Sequence, residues 1–372
     1  MSRPPKRSDQ RAAPEIADTN MAIAGALRDM ARAQRSRERQ WGYKQAANAI
    51  RDLDRDIASC VGPGGTLQRI PHVGPASTRI VLQMLDSGQS AIVEAAVDES
   101  GQRAEVTRRR TLRRHFFSRA TTAQVLAARG KDVVCRGDLQ MHSTASDGTQ
   151  SLADIIDGCS ARGYRYAAVT DHSAGLPIAN GLSLTRLRMQ AKDIAALNAR
   201  HAGRFTLLRG VEANIRADGE VDVPEDQRSE LDIVVAAPHS GLRSTTDQTA
   251  RMVAAVTAPG VQILGHPRGR MYDSRAGVVA DWTSVFDAAA RSGVAIELDG
   301  DPSRQDLDFA LAREALACGC LFALDSDAHS VSELAYADTA RAHAILAGIP
   351  ADRIVNCWPI EKLMDWAASR RT

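Results

Sequence analysis

The chain has 372 residues, of which 44% are hydrophobic and 25% are charged, proportions that are ordinary for a soluble protein. Its length is sufficient for a barrel-sized domain of roughly 200 to 250 residues together with a smaller domain. No apolar run reaches the ~18 residues that a membrane helix needs, and residues 1–17 lack the apolar core of a signal peptide. We therefore expect a soluble, cytoplasmic protein with no membrane partner, and a disordered tail over residues 1–17.

Charge is distributed unevenly along the chain. Residues 1–131 contain 23 Lys and Arg against 13 Asp and Glu, a net charge of +10, whereas residues 132–372 contain 24 against 32, a net charge of −8. A basic half suits a polyanion such as DNA, and an acidic half suits metal cations. Solvated surface charge is the alternative. The six cysteines include no C-x-x-C pair, which favours reduced thiols over a disulfide framework.

The first predicted elements are helices. Residues 17–53 repeat apolar side chains at helical spacing, with Ile23, Leu27 and Met30 on one face. The pattern predicts two or three amphipathic helices that share a small core.

A hairpin between two helices is predicted next. Short apolar patterns indicate a helix over Thr66–Ile70, a tight turn over residues 71–75 and a second helix over residues 76–85. Gly74 allows the backbone to approach a ligand closely, and the start of the second helix offers unpaired N–H groups. This arrangement can hold a DNA phosphate without reading a base.

The hairpin resembles the helix-hairpin-helix family. The matching residues are Leu67, Ile70, Pro71, Val73, Gly74 and Ile80. His72 stands where the family has the first hairpin glycine. Residues 18–92 as a whole resemble the N-terminal DNA-binding domain of family X DNA polymerases, which implies that Val73 and Gly74 contact a DNA phosphate. Some members of that family have a lysine that performs lyase chemistry. Lys44 is the only lysine between positions 7 and 130 here, and it has no convincing match to that residue, so lyase chemistry is not predicted.

Residues 93–131 are predicted to be a basic linker. Their dense run of arginines can bind phosphates, and Arg109 and Arg113 are the candidates for DNA contact. The alternative is a solvated helix whose Phe116 and Phe117 dock on a neighbouring element. The segment is too short to contain a polymerase palm and thumb, so polymerase activity is predicted to be absent.

An α/β barrel is predicted over residues 132–372. Seven short apolar runs that indicate strands alternate with helical stretches, a pattern that predicts a closed or nearly closed parallel barrel. The helical stretches cover residues 151–162, 184–202, 245–257, 281–292, 305–318 and 331–347. In such barrels, functional side chains gather where the strands end.

Potential metal ligands follow the ends of these predicted strands. They are His142 with Asp147, His172, Glu212, His239, His266, Glu297 with Asp299, and Asp327 with His329. A lone histidine in a strand is usually structural, but so many at one rim indicate a metal site. Mixed His, Asp and Glu ligands suit Zn²⁺, Mn²⁺ or Fe²⁺. Their number implies two or three clustered ions, which are suited to phosphoryl chemistry.

Residues 132–368 resemble the polymerase and histidinol phosphatase (PHP) domain. The matching motifs, in order, are Asp-Leu-Gln-Met-His-Ser, Thr-Asp-His-Ser, Gly-Val-Glu, Pro-His-Ser, Gly-His-Pro and Ser-Asp-Ala-His. The resemblance implies a distorted (β/α)7 barrel with a trinuclear metal site. It implies one metal on His142, Glu212 and Asp327, a second on Glu212, His239 and His266, and a third on Asp147, His172 and His329. His142, Glu212 and Asp327 are also the expected catalytic residues.

Gln140 stands where the family has a ninth ligand, a histidine. A carboxamide oxygen still coordinates hard metals, so Gln140 is expected to bind more weakly at the first metal. Asp171 and Ser173 are expected to orient His172. Further candidates, for phosphate or DNA, are Arg268, Arg270 and Arg304 near the rim, with a surface role as the alternative.

These features favour a metal-dependent phosphoesterase that acts on DNA ends in repair, as a 3′-5′ exonuclease, a 3′-end processing enzyme or an abasic-site endonuclease. One rival is a small-molecule phosphatase of the histidinol phosphate type. Another is a non-catalytic DNA-binding scaffold, for which Gln140 is the direct support. We also expect the two halves to be separable, so that removing residues 1–131 leaves hydrolysis of a small phosphate ester intact while weakening DNA cleavage. The oligomeric state is left open.

Overall fold

The computed structural model describes residues 17–371, so the expected tail lies outside the described residues except for Ala17. Six helices precede the barrel: α1 (Thr19–Ala33), α2 (Arg37–Arg51), α3 (Pro75–Ser87), α4 (Ala91–Ser100), α5 (Arg103–Leu112) and α6 (Arg119–Arg129). None of the helices within residues 17–371 is both long enough and apolar enough to span a bilayer.

The first five helices form a small domain around α1. Asp18 and Ser36 begin α1 and α2 by accepting hydrogen bonds from backbone N–H groups of the first turn. Helix α1 packs against α2, α3 and α4, and the predicted apolar face is buried, with Ile23 and Leu27 at most 1% exposed. The helical domain expected over residues 18–92 is therefore present, and α5 extends it.

The prediction of a helix over Thr66–Ile70 is wrong. Residues 57–60 form a short 3-10 helix instead, and Leu67 pairs with Val61 in an antiparallel bridge. The intervening glycines make a turn, in which the Gly62 N–H donates to the Thr66 carbonyl at 3.0 Å. A four- to five-residue helix could not compete with these bonds, because its first turn fixes several dihedrals for one hydrogen bond. The second helix of the hairpin, α3, is where the sequence places it.

The basic linker expected over residues 93–131 is helical and packed. Helix α6 packs against the barrel helix α13 (Ala337–Ala347), and Phe117 is 5% exposed in the main apolar core of the barrel. The Phe117 ring stacks on His343 with 4.2 Å between ring centroids. The barrel therefore draws part of its core from residues that precede position 131.

The barrel has seven parallel strands in sequential order: β1 (Gly137–Asp138), β2 (Tyr166–Val169), β3 (Thr206–Asn214), β4 (Ile233–Ala237), β5 (Ile263–Leu264), β6 (Ala295–Asp299) and β7 (Leu321–Asp325). Beyond the ends of β1 and β7, Met141 bridges Ala328, and the His142 N–H donates to the Ala328 carbonyl at 2.8 Å. These contacts bring the first and last strands together, so the barrel is nearly closed, and the predicted fold class is confirmed.

Helices cover the outside of the barrel: α7 (Leu152–Ala161), α8 (Leu184–Arg200), α9 (Glu225–Arg228), α10 (Thr249–Thr257), α11 (Trp282–Ser292), α12 (Phe309–Ala317), α13 and α14 (Ile360–Ser369). Inside the barrel, the apolar side chains of Leu139, Leu208 and Val235 belong to one cluster of buried residues with Leu363 of α14. The polar strand ends lie at the other end of the barrel.

Candidate metal centre at the barrel rim

The expected ligands converge at the rim formed by the carboxyl ends of the strands. Among the described residues, three groups each place one ligand atom per residue within 4.8 Å of one another. They are His142, Asp147, His172 and His329; His172, Glu212 and His239; and His142, Glu212 and Asp327. The groups share members, so the rim contains one continuous cluster rather than three separate sites.

Glu212 lies at the centre of this cluster. One carboxylate oxygen is 2.9 Å from His266 Nε2 and 3.1 Å from His239 Nε2, and the other is 3.1 Å from His172 Nδ1 and 3.3 Å from His142 Nε2. Burial favours the neutral acid, but His172 and His239 outweigh burial and hold the pKa of Glu212 well below its usual range. The carboxylate therefore stays charged and is shared among several imidazoles.

Asp327 and His142 form the inner side of the cluster. His142 Nε2 is 2.9 Å from Asp327 Oδ1, and both side chains are buried. Burial disfavours the charged imidazole, yet the hydrogen bond to Asp327 and the nearby Glu212 carboxylate raise the pKa of His142 well above its usual value. Asp327 has a φ of +50° and His266 a φ of +24°, conformations that non-glycine residues rarely adopt. Such backbone strain is typical of functional sites.

Asp147 marks the open side of the cluster. Its carboxylate lies 3.6 Å from His329 Nε2, 3.7 Å from His172 Nε2 and 3.9 Å from His142 Nδ1, and its side chain is 35% exposed. Burial opposes ionisation, but the nearby imidazoles of His329, His172 and His142 lower the pKa of Asp147 to about 2. A substrate can reach this group from solvent.

The donor set fits divalent cations. Buried polar atoms in proteins nearly always have hydrogen-bond partners. Several buried side-chain nitrogen and oxygen atoms at the rim have no hydrogen-bond partner within the described chain. They are both amide atoms of Gln140, Nδ1 of His142, Nδ1 of His266 and Oε2 of Glu212. Imidazole and carboxylate groups in this number suit Zn²⁺, Mn²⁺ or Fe²⁺.

Gln140 lies beneath the cluster with 0% exposure. Gly265, at the end of β5, provides its space, since a Cβ atom at position 265 would lie 3.2 Å from Gln140 Oε1 and 2.5 Å from Val235 Cγ1. The amide is thus enclosed beside Gly265, and the Gln140 backbone carbonyl accepts from the Asp327 N–H at 3.1 Å.

Asn214 and Asp222 hold His239 in place, and the sequence did not indicate either residue. His239 Nδ1 is 2.6 Å from Asn214 Oδ1, so the ring donates there and keeps its Nε2 lone pair for the cluster. Asn214 Nδ2 in turn donates to Asp222 at 2.7 Å. Asn214 lies two residues after Glu212 on β3, so strand alternation could have indicated that it shares the interior face.

The roles expected of Asp171 and Ser173 are wrong. Asp171 accepts hydrogen bonds from the Ser143 N–H at 2.7 Å and from Ser146 Oγ at 2.5 Å, and therefore fixes the loop that carries Asp147. Ser173 Oγ donates to Asp222 at 2.7 Å. No hydrogen bond joins either side chain to His172 among the contacts of the described residues.

Of the three arginines expected near the rim, only Arg304 contacts the cluster. Its Nη1 donates to Asp327 Oδ2 and lies 3.8 Å from Asp299. Arg268 is instead paired with Asp306 and Asp308, and Arg270 is 5% exposed under the ring of Phe116. These two side chains have internal partners, and a phosphate contact stays a prediction for both.

Glu297 and Asp299 line the barrel interior but belong to none of the three donor groups within the described chain. Both are 0% exposed. Burial, together with nearby Asp325 for Glu297 and Asp327 for Asp299, raises the pKa of each carboxyl well above its usual value. Both carboxyl groups accept hydrogen bonds from backbone N–H groups, Glu297 from His266 and Asp299 from Asp301.

The DNA contacts expected of Arg109 and Arg113 are not supported. Arg113 is 9% exposed and joins Asp29 of α1 to Asp273 of the barrel, with 2.9 Å between its Nε and Asp273 Oδ1. Arg109 pairs with Glu105 at 2.6 Å and with Asp273 at 3.4 Å. Both arginines join the helical domain to the loop after β5.

The hairpin itself is exposed. Gly74 begins α3 without a side-chain cap, which leaves the first N–H groups of the helix available, and Val73 is half-buried beside it. His72, which replaces the expected glycine, has a φ of +65°. The turn therefore keeps the left-handed conformation that favours glycine at this position.

Comparisons with known proteins agree with both parts. The helix-hairpin-helix domain family matches residues 18–90. The DNA polymerase/3′-5′ exonuclease PolX of Bacillus subtilis is 40% identical over 200 residues, which are 54% of this chain and 35% of that protein. A probable phosphatase of Shewanella oneidensis is 29% identical over 245 residues, which are 63% of this chain and 91% of that protein.

The solved structure of a histidinol phosphate phosphatase from Lactococcus lactis is also similar, with a TM-score of 0.41 and 15% identity. The aligned region covers 55% of this chain and 92% of the phosphatase chain. The chain spans about a third of the length of the Bacillus relative.

The nearly closed parallel barrel, with a cluster of His, Asp and Glu side chains at its rim, agrees with the PHP-type fold that the sequence motifs predict. The match to the helix-hairpin-helix family and the similarity to PolX support the resemblance of this chain to PHP-domain proteins of the family X DNA polymerase type.

Proposed function

We propose that this protein is a metal-dependent phosphoesterase that acts on DNA ends. The observation that carries the proposal is the rim cluster, in which three overlapping donor groups surround the buried Glu212. Divalent ions held by such a cluster would be suited to phosphoryl chemistry. An exonucleolytic or end-processing reaction in DNA repair is the proposed context.

Three sets of residues would hold the ions. Gln140, His142, Glu212 and Asp327 would form one, Glu212, His239 and His266 a second, and Asp147, His172 and His329 a third. When bound, divalent ions lower the pKa of water to supply hydroxide and neutralise charge on the phosphate. Zn²⁺, Mn²⁺ and Fe²⁺ all suit these donors.

The protein's own residues orient the donors. Asn214 fixes the His239 ring, and the Asp327 carbonyl accepts from His329 Nδ1 at 2.8 Å, which directs Nε2 of each ring toward the cluster. Arg304 holds one oxygen of Asp327 and adds the positive charge nearest to it. The exposed side at Asp147 is where a phosphate ester would enter.

Docking of the helical domain supports DNA as the substrate. Arg113 and Arg109 fix this domain to Asp273, which lies in the loop after β5, on the same rim as the cluster. A DNA strand bound by the backbone N–H groups around Gly74 would be held by a domain that is fixed to the barrel, and the barrel bears the rim cluster. Such contacts would bind phosphates irrespective of sequence.

The test is cleavage of labelled DNA in the presence of Mn²⁺ or Zn²⁺. The wild-type protein should shorten 3′ ends, and His142→Ala or Asp327→Ala should abolish this. Gly74→Glu, which places a carboxylate where a phosphate would bind, should weaken DNA cleavage and leave hydrolysis of bis(p-nitrophenyl) phosphate unchanged. Cleavage that persists in His142→Ala would contradict the proposal.

A small-molecule phosphatase remains the second candidate, because the Shewanella relative is named a probable phosphatase. Rapid hydrolysis of histidinol phosphate without cleavage of DNA would favour it. A protein that binds DNA but retains no metal after dialysis would favour the scaffold.

A further inference from the structure

Residues 114–117 connect the helical domain to the barrel, and we call them the junction segment. They contact the barrel on both sides of Arg304. On one side they contact Arg270, whose Nε donates to the Arg304 carbonyl at 2.9 Å. On the other, Gln305 pairs with the backbone of Phe117.

The pair between Gln305 and Phe117 is bidentate. Gln305 Oε1 accepts from the Phe117 N–H at 2.7 Å, and Gln305 Nε2 donates to the Phe117 carbonyl at 2.9 Å. Both residues are buried, and His343 Nε2 lies 2.9 Å from the same Oε1. Gln305 has a φ of +44°, a conformation that persists in non-glycine residues only when the surroundings enforce it. Phe117 supplies part of that enforcement.

Arg270 is held by the same segment. Its guanidinium lies 3.9 Å from the centroid of the Phe116 ring and donates to the Arg114 carbonyl at 3.2 Å. Cation–π contact with a desolvated guanidinium fixes the position of both groups. Since Arg270 Nε donates to the Arg304 carbonyl, Phe116 determines the backbone position of Arg304 through one intermediate residue.

Arg304 reaches from this junction into the metal cluster. Its backbone is fixed by Arg270, and its guanidinium donates to Asp327 Oδ2. Asp327 in turn contacts His142 and belongs to the innermost donor group. A continuous set of packed and hydrogen-bonded groups therefore joins the DNA-binding half of the chain to a proposed metal ligand.

We propose that the junction segment positions Arg304, and through it Asp327, so that docking of the helical domain sets the competence of the metal centre. This inference deepens the proposed function and rests on it. Gln305 and Arg270 are positioning residues that act through Arg304. The helical domain is then a structural part of the phosphoesterase, in addition to holding DNA.

The test uses Gln305→Leu in the full chain, with bis(p-nitrophenyl) phosphate as a substrate too small to need the helical domain for binding. We expect kcat to fall about tenfold with KM changed less than about twofold, because positioning is lost and binding is not. In an Arg304→Ala background, Gln305→Leu should have no further effect, since coupled residues are not additive.

Asn198→Leu is the matched control. Asn198 makes the same bidentate pair with the backbone of Leu207, at 2.8 Å for both bonds, outside the barrel and away from the cluster. Its replacement should lower stability and leave kcat unchanged. Equal losses of kcat in both variants, or additive losses in the Arg304→Ala background, would overturn the inference.

Two further measurements keep the inference testable. Should Gln305→Leu fail to fold, Phe116→Leu removes the contact with Arg270 while keeping an apolar side chain, and the same fall in kcat is expected. A wild-type protein inactive on both the ester and DNA would refute the proposed function alone. Titration with Zn²⁺ would then still decide the inference: the affinity should fall in Gln305→Leu and not in Asn198→Leu, and equal affinities would overturn it.

Discussion

Replacement of Glu212 should remove more metal than replacement of any carboxylate that serves one donor group. Glu212 belongs to two of the three groups, whereas Asp147 belongs to one. Glu212→Gln keeps the size of the side chain and removes its charge. Because the Glu212 side chain is 0% exposed and its oxygens lie within 3.3 Å of four imidazole nitrogens, water cannot readily take its place.

The size of the effect follows from Coulomb's law. Two unit charges about 4 Å apart attract by about 4 kcal/mol at an effective dielectric constant of about 20, and a divalent ion doubles the attraction. The single-charge value alone corresponds to about a thousandfold weaker binding. Asp147→Asn should cost less, because Asp147 is 35% exposed and solvent screens its charge.

Metal content after dialysis and calorimetric titration with Zn²⁺ measure this difference. We expect Glu212→Gln to retain less metal than Asp147→Asn, and Asp147→Asn less than wild type. Glu297→Gln is the matched control, because Glu297 is as deeply buried as Glu212 and belongs to none of the three donor groups of the described chain. Wild-type metal content in Glu212→Gln, or an equal loss in Glu297→Gln, would refute the reasoning.

Three further predictions concern single residues. Gln140→His should tighten Zn²⁺ binding relative to Mn²⁺, since imidazole is the softer ligand; unchanged affinities for both ions would show that Gln140 does not face the cluster. Burial, reinforced by Arg270, lowers the pKa of His343 to about 3, so the unfolded chain takes up its proton more readily. The free energy of unfolding should therefore decrease as the pH falls below about 6.5, and His343→Gln should flatten that slope in urea unfolding. His72→Gly should raise the free energy of unfolding by about 0.5–1 kcal/mol in thermal melts, because strain at φ +65° exceeds the added entropy of glycine, and a decrease would contradict this.

The sequence predicts the barrel, and the gathering of its candidate ligands at one rim, because both depend on local patterns. Each strand is a short apolar run, and each ligand lies at or just beyond the end of one. His142, Glu212 and Asp327 come together because parallel strands end at one rim. The pattern does not show which polar neighbours orient the ligands. Asp171 and Asp222 both bond side chains from other loops, and those pairings depend on how the loops pack.

The arginine run shows where local patterns stop being informative. Arg109 and Arg113 have the composition of a DNA-binding stretch, and their partners, Asp29 and Asp273, come from distant parts of the chain. Only the fold brings these aspartates to the arginines. The same fold buries Phe117 in the barrel core, so removing residues 1–131 would take away core and junction together. The separable halves that the charge asymmetry suggests are therefore not the units that the packing defines, and a deletion that ends before Arg114 is the better test of what the helical domain contributes.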